Sequence, residues 1–382
     1  MRHFSTSTQI LGWSLVLLLS SCIDPFTPPS ISSPPSYLVV DGFINSRGIS
    51  TISLSRTYAI ALAASPPTET SASVFIEAQS GRRYSLRESA VKGTYVSDPL
   101  ALPPADTYRL HLTTAAGKEY ASTYVPVKTT PPIDTVAWRA TGTGVDITMS
   151  AHDPANATQY YRFEYAETWE IVSPYIPSLE FLGGRLRPLS VPFPALCWRT
   201  VRGTTVQLAN TTTLTQDVVA SYPLRQLPST APQLLRQYSL LVQQHALTKD
   251  EYQYWELLRK NTETIGSLFD PQPVQLTGNV QGLGSNAGAI ALGYVGAHSL
   301  SEKRIFIARR QLPAAWRPLT GYESCMPPDT VRPGAETYAF GTNYLPIYAT
   351  YKNGGLVGIL AATADCIDCR RRGSAIRPSY WP

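Results

Sequence analysis

Short runs of alternating apolar and polar residues, cut repeatedly by turn residues, constrain this chain more than any other feature. Successive side chains leave a pleated strand on opposite sides, so alternation with a period of two marks a strand with one buried face. Tyr37–Asn45, Thr51–Ser55, Ser73–Ala78, Tyr84–Leu86, Gly93–Val96, Thr107–Thr113 and Tyr120–Val125 follow this pattern, with turns at Gly81 and Gly117. Such a series, with no helical run between its members, predicts an antiparallel β-sandwich over residues 37–128.

Pro131-Pro132 marks a boundary, and strand patterns resume at Thr135–Trp138, Val145–Ser150 and Tyr160–Tyr165. Val206–Leu208 and Val218–Ala220 are weaker strands, and the proline-interrupted stretch 173–195 is expected to be irregular. Tyr238–Gln243 reads as a strand, although Leu234, Leu235, Tyr238, Leu241 and Val242 also fit one helix face. Thr248-Lys249-Asp250-Glu251 is a capping box, in which the Thr and Glu side chains satisfy each other's free backbone N–H groups. It opens a helix that carries Tyr252, Trp255 and Leu258 and stops at Gly266, a helical insertion over 248–265. Ala289–Val295 and Lys303–Ala308 read as further strands, and the tail from residue 311 as irregular and tied down by cysteines. The expected fold is mainly β: two antiparallel β-sandwich domains of immunoglobulin or fibronectin-III type, over 37–128 and 131–382.

The amino terminus predicts an export signal. Arg2 precedes an apolar run, Ile10–Leu19, that is too short to span a bilayer and fits the core of a signal peptide over residues 1–21. Leu19-Ser20-Ser21-Cys22 resembles the lipobox of bacterial lipoproteins. That resemblance implies lipid on the Cys22 thiol, cleavage before it, and a membrane as the first partner. Two or more acyl chains hold a protein firmly at a bilayer, whereas one holds it marginally. Residues 22–36 are rich in Pro and Ser and read as a semi-rigid spacer behind the anchor.

Composition agrees with an exported β protein. Charged residues are only 15%, while Tyr numbers 22 and Pro 32. The formal net charge is +5, and Arg370-Arg371-Arg372 is the densest basic run, too short to indicate nucleic-acid binding. Cys197, Cys325, Cys366 and Cys369 form an even set beyond Cys22, which in an oxidising compartment predicts structural disulfides. All three pairings stay open. Cys366 and Cys369 form a CxxC pair, but a redox motif belongs at a helix start in a βαβ unit, and zinc would need two further ligands.

Chemistry is hard to find. Neither Gly-x-Ser-x-Gly nor His-Glu-x-x-His occurs, and Gly282-Leu283-Gly284 reads as a turn rather than a dinucleotide loop. His111, His152, His245 and His298 lack metal-ligand spacing, so no metal or other cofactor is expected. Glu164, Glu167 and Glu170 sit three apart, a spacing that alternates faces in a strand and favours solvated positions over a catalytic pair. Abundant tyrosines beside arginines suit recognition of carbohydrate or protein, and equally suit sandwich cores.

Several segments together resemble a family of Bacteroidota lipoproteins known as domain of unknown function 4249. They are Tyr37-Leu38-Val39-Val40-Asp41-Gly42, Tyr252–Leu258, Gly266–Pro273, Gly278-Asn279-Val280, Lys303–Ile307, and Cys366–Arg370 with Gly373 and Pro378–Trp381. Family members often carry a cysteine just after the Gly-Asn pair, where this chain has Gln281-Gly282, so the resemblance assigns Cys197 no partner there. It implies an outer-membrane lipoprotein with no established activity, encoded beside TonB-dependent transporters. The expected role is therefore non-enzymatic: binding, or service as an accessory to such a transporter. The alternatives are a cell-envelope hydrolase using carboxylates such as Glu164, Glu167 or Asp153, and a structural or adhesive surface protein.

Overall fold

The computed structural model describes residues 36–58, 65–263, 276 and 278–382. The signal segment, Cys22, the Pro/Ser spacer before Ser36 and Gly266 lie outside the described residues. The chain is mainly β, with one long described helix, Lys249–Glu263.

The first eight strands are β1 (Leu38–Asn45), β2 (Thr51–Arg56), β3 (Ser73–Ala78), β4 (Arg83–Glu88), β5 (Thr94–Ser97), β6 (Thr107–Thr113), β7 (Glu119–Ser122) and β8 (Val125–Pro126). They do not complete a sheet alone. Strands β18 (Val280–Gly282), β19 (Ala291–Leu292) and β20 (Ala297–His298), far along the chain, join them in the order β18-β7-β6-β3-β4-β5-β2-β1-β19, with β20 also on β1 and β8 on β6. A bridge between Gln281 and Ile290 links the two ends of this row. The result is a nearly closed, barrel-like sheet, not the open sandwich expected over 37–128. Closure covers edges that would otherwise present unpaired backbone groups. Leu38, Val40, Ile44, Ile52, Ile76 and Leu110 fill its interior.

The returning segment explains the Gly278-Asn279 motif. The Asn279 amide accepts from Val295 N–H at 2.8 Å and donates to Val295 C=O at 3.0 Å, doing the work of a strand partner. Gly293 has φ +126°, and a Cβ there would lie 1.9 Å from the Val40 carbonyl oxygen. The expected strand Ala289–Val295 therefore shrinks to the two residues of β19, which pair in parallel with Leu38 and Val39. Gly293→Ala is expected to cost about 2–4 kcal/mol through strain and clash at this seam. A urea midpoint within error of wild type would refute that role.

Between these segments lie β9 (Ile133–Ala140), β10 (Gly144–His152), β11 (Tyr160–Ile171), β12 (Leu179–Leu182), β13 (Arg185–Pro188), β14 (Cys197–Arg202), β15 (Gln207–Asn210), β16 (Val218–Pro228) and β17 (Gln237–Ala246). Strand β21 (Leu300–Ala308) follows the return. One sheet runs β16-β10-β9, and a second runs β14-β11-β17-β21 with β15 beside β11. They share a core of Val145, Ile147 and Met149 from one side and Tyr161, Phe163, Tyr238, Leu240 and Val242 from the other. Along β11 the odd-numbered residues enter this core and the even-numbered ones face outward. Tyr238–Gln243 is thus strand, and its helical pattern was coincidental.

The helix begins where its cap predicts: Glu251 N–H donates to Thr248 Oγ1 at 3.2 Å. Only half of the box forms. The Glu251 carboxylate lies 3.8 Å from His298 Nε2, in space that a Cβ on Gly296 would occupy.

The stretch 173–195 and the tail are more regular than expected. Strands β22 (Asp329–Val331), β23 (Tyr344–Lys352) and β24 (Gly355–Thr363) form a sheet in the order β22-β24-β23. Leu179, Phe181 and Leu186 of the β12–β13 hairpin pack against Val331, Phe340 and Ile359. Disulfides Cys197–Cys369 and Cys325–Cys366, with Cα separations of 5.8 and 5.7 Å, tie this part down. The CxxC cysteines bond to different partners, which removes both the redox pair and the zinc reading. Cys197 has a partner after all, in the tail rather than beside the Gly-Asn pair.

Candidate functional site

The outer face of the barrel-like sheet meets the outer face of the β11-containing sheet, and a cleft of about 470 Å³ opens between them. Each wall follows from strand parity. On β1 and β2 the residues pointing away from the barrel core include Asp41, Phe43, Thr51 and Ser53, since Asp41 pairs with Ser53 and Phe43 with Thr51. On the facing sheet, Arg162 lies beside His245, Glu164 beside Gln243, and Ala166 beside Arg202. Arg162, Glu164, Arg202, Gln243 and His245 all line the cleft.

Arg162 organises the floor. Its Nη1 lies 3.0 Å from Glu164 Oε1, and its guanidinium stands 3.9 Å over the Trp255 ring of the helix. Helix and strand are thereby joined through a cation–π contact. Phe43 stacks on His298 at 4.3 Å and meets His245 edge-on at 5.0 Å. Both histidines are buried, and neither His245 ring nitrogen has a hydrogen-bond partner.

The charges in the cleft are unequal in character. Desolvation raises the pKa of Asp41, against the pull of Arg162, and the negative charge of Glu164 adds to the rise. Asp41 stays open to the water of the cleft while protein on both sides excludes bulk solvent from it. For Glu164, desolvation is outweighed and the carboxyl is brought down to about 2 by His245, Arg162 and Arg202. His245 itself is pushed down to about 4, chiefly by burial. An imidazole that is neutral at pH 7 lends no charge, so of the three only the two arginines attract the Glu164 carboxylate by charge, while His245 can offer it only an N–H. His245 Nε2 is also 3.5 Å from Glu164 Oε2, too far for a strong hydrogen bond.

The other carboxylates considered for hydrolysis are not brought together with Glu164. Glu167 points into the sandwich core, where Arg225 at 3.0 Å and the Tyr238 hydroxyl at 2.8 Å hold it. Asp153 accepts from the N–H groups of Ala155, Ala157 and Thr158 and shapes a turn. Glu170 takes Arg236 and the Trp381 indole, both at 3.0 Å. His152 pairs with Asp134 at 2.8 Å, and His111 with Glu119 at 2.7 Å. Among the described residues no group of three or more His, Cys, Asp or Glu side chains could hold a metal ion. No described helix is long and apolar enough to cross a membrane. Asp41, Arg162, Arg202 and Gln243 were not singled out from sequence; a charged Asp41 within an otherwise apolar strand was the available signal.

A family model described as domain of unknown function (DUF4249) matches residues 23–304. The chain belongs to this family. Every cleft residue lies within the DUF4249 match, whereas the tail with Cys325, Cys366 and Cys369 lies beyond it. No curated protein matches the sequence. Among solved structures, similarity extends to a two fibronectin type-III domain segment of chicken tenascin, at 9% identity over 55% of this chain and 91% of that one, with a TM-score of 0.18. A DUF4785 family protein of Legionella pneumophila is similar at 10% identity over 55% and 52% of the two chains, with a TM-score of 0.19.

Proposed function

We propose that this DUF4249 protein is a non-enzymatic outer-membrane lipoprotein, tethered through lipid on Cys22, that binds in its inter-sheet cleft. Its partner is a TonB-dependent transporter, a role taken from what the family resemblance implies. The observation that supports a binding role is the Asp41 carboxylate, which has no ion pair among the described residues and stands on the wall of a cleft that also holds Arg162, Glu164 and Arg202. Cys22→Ala is expected to move the protein from the membrane to the soluble fraction, read by fractionation of whole cells. Wild-type protein from detergent-solubilised outer membranes should carry a barrel protein with it; recovery of a lone monomer would defeat the partnership.

A hydrolase is the second reading. One observation favours it: two carboxyls in one cleft whose surroundings drive their pKa values apart, Asp41 upward and Glu164 downward. Release of products from cell-envelope glycan or peptide by wild type, abolished in Asp41→Asn, would establish it.

A further inference from the structure

The cleft's four charges alternate in sign, and only the middle two are matched. Asp41 interacts with Arg162, Arg162 is paired with Glu164 at 3.0 Å, and Glu164 interacts with Arg202. Neither outer member has an ion pair among the described residues: no cation lies within 4.0 Å of Asp41 and no carboxylate within 4.0 Å of Arg202. The charges sum to zero, so the cleft attracts neither a simple anion nor a simple cation over the other. It offers an acceptor for positive charge at one end and a donor for negative charge at the other.

Strand β11 sets the spacing of the two arginines. Arg162 and Ala166, the neighbour of Arg202, are four residues apart on β11, roughly 13 Å at the rise of an extended strand. Asp41 stands on the opposite wall within reach of the field of Arg162. The unmatched charges stand on opposite walls of the cleft, each next to one member of the Arg162–Glu164 pair, so a ligand that joins them must carry opposite charges at two ends. Behind them the floor is rigid. Arg162 is clamped between Glu164 and Trp255, and His245 is packed against Phe43 and 1% exposed. The Gln243 carboxamide oxygen, whose NH2 is held by Glu302 at 2.6 Å, and the hydroxyls of Thr51 and Ser53, on the same walls, can bond to amide groups along the way. A saccharide would call for an open aromatic face, but the Phe43 ring is already occupied by the two histidines.

We propose that the cleft binds a zwitterionic ligand of short-peptide chemistry, its ammonium on Asp41 and its carboxylate on Arg202. This rests on the reading of the cleft as a binding surface, and it names the chemical class that the surface takes.

Calorimetry on the full-length lipoprotein in detergent, at pH 7, would test it with tri-alanine, N-acetyl-tri-alanine and tri-alanine amide. Tri-alanine should bind, and capping either end should weaken it by about tenfold or more, the scale of one charge-assisted contact. Asp41→Asn should remove the distinction between free and acetylated peptide while keeping that between acid and amide. Arg202→Gln should do the reverse. This crossed pattern distinguishes recognition of the two termini from a change in fold. Equal binding of all three peptides, or binding of maltotriose but not tri-alanine, would overturn the proposal. So would absence of tri-alanine binding in protein that still co-purifies with a barrel partner, an outcome that leaves the accessory role standing.

Discussion

Serine at both Cys197 and Cys369 is expected to lower the free energy of unfolding by about 4–5 kcal/mol, more than loss of the other disulfide. The two half-cystines are 172 residues apart, and those of Cys325–Cys366 are 41 apart. In the chain-entropy account the longer loop is worth about 5 kcal/mol and the shorter about 4. Local structure widens the difference. Cys197 begins β14, and beyond Cys369 the tail returns to that strand: Trp198 and Ser374 exchange backbone hydrogen bonds at 2.8 Å in both directions. Farther on, Tyr380 meets Thr168 at 3.0 Å, and Trp381 packs edge-on to Phe306. The tail thus covers the part of the outer β11 face that the barrel-like sheet leaves bare. Freeing it exposes that face as well as lengthening the unfolded chain. Urea titrations followed by tryptophan fluorescence would compare the double-serine variants at each pair. A loss below about 1 kcal/mol at Cys197–Cys369, or a larger loss at Cys325–Cys366, would show that the long loop does not dominate.

Local patterns were readable where one face of a strand is buried and the other wet. The strands of Leu38–Thr113 fall where alternation places them, because each must present every second side chain to one core. Glu164 and Glu167 face opposite ways, as the spacing predicts, but the solvated position expected for Glu167 is not what it takes: it is buried in the sandwich core against Arg225 and Tyr238. Pairings of two or three residues escaped, since β19 and β20 are too short to show a period. They contribute backbone closure rather than a hydrophobic stripe, and their signal is the glycines and Asn279 that permit close approach. The small sheet near the carboxyl end escaped for a related reason: its strands carry glycine and proline, and part of its cover comes from a hairpin far upstream. Disulfide pairing depends on how these distant pieces dock, and the four spacings alone do not encode that.

The cleft was the least legible part. It is built from two outer faces, and each in isolation has the composition of a face turned to water. Asp41 interrupts an apolar strand, and Glu164 and Arg202 occupy outward positions. Sequence periodicity identifies which residues point away from a core, but not which two outward faces will meet. His245 carried a partial clue, since a histidine at an outward position of an otherwise buried strand must be either solvated or covered by a second unit.

That covering makes the fold sensitive to acid, and the sign follows from His245. Burial, with Arg162 and His298 adding to it, brings the imidazole from 6.5 down to about 4, against the opposing pull of Glu164. Below pH 6.5 the unfolded chain takes up a proton that the folded one refuses until about pH 4. Stability is therefore complete above pH 6.5 and falls as the pH drops toward 4, by about 3 kcal/mol in all. Glu164, held low at about 2, acts in the same direction but only below its unfolded value of 4.5, and its exposure to the cleft screens much of the effect. His245→Gln keeps a polar side chain of similar reach and cannot take up the proton. Its unfolding free energy should change little between pH 6.5 and 5, where the wild type should already have lost about 2 kcal/mol. Urea unfolding at pH 7, 6 and 5 would measure both slopes. Parallel slopes would mean that the proton is taken up elsewhere, and that the contact between the two outer faces opens before His245 is charged.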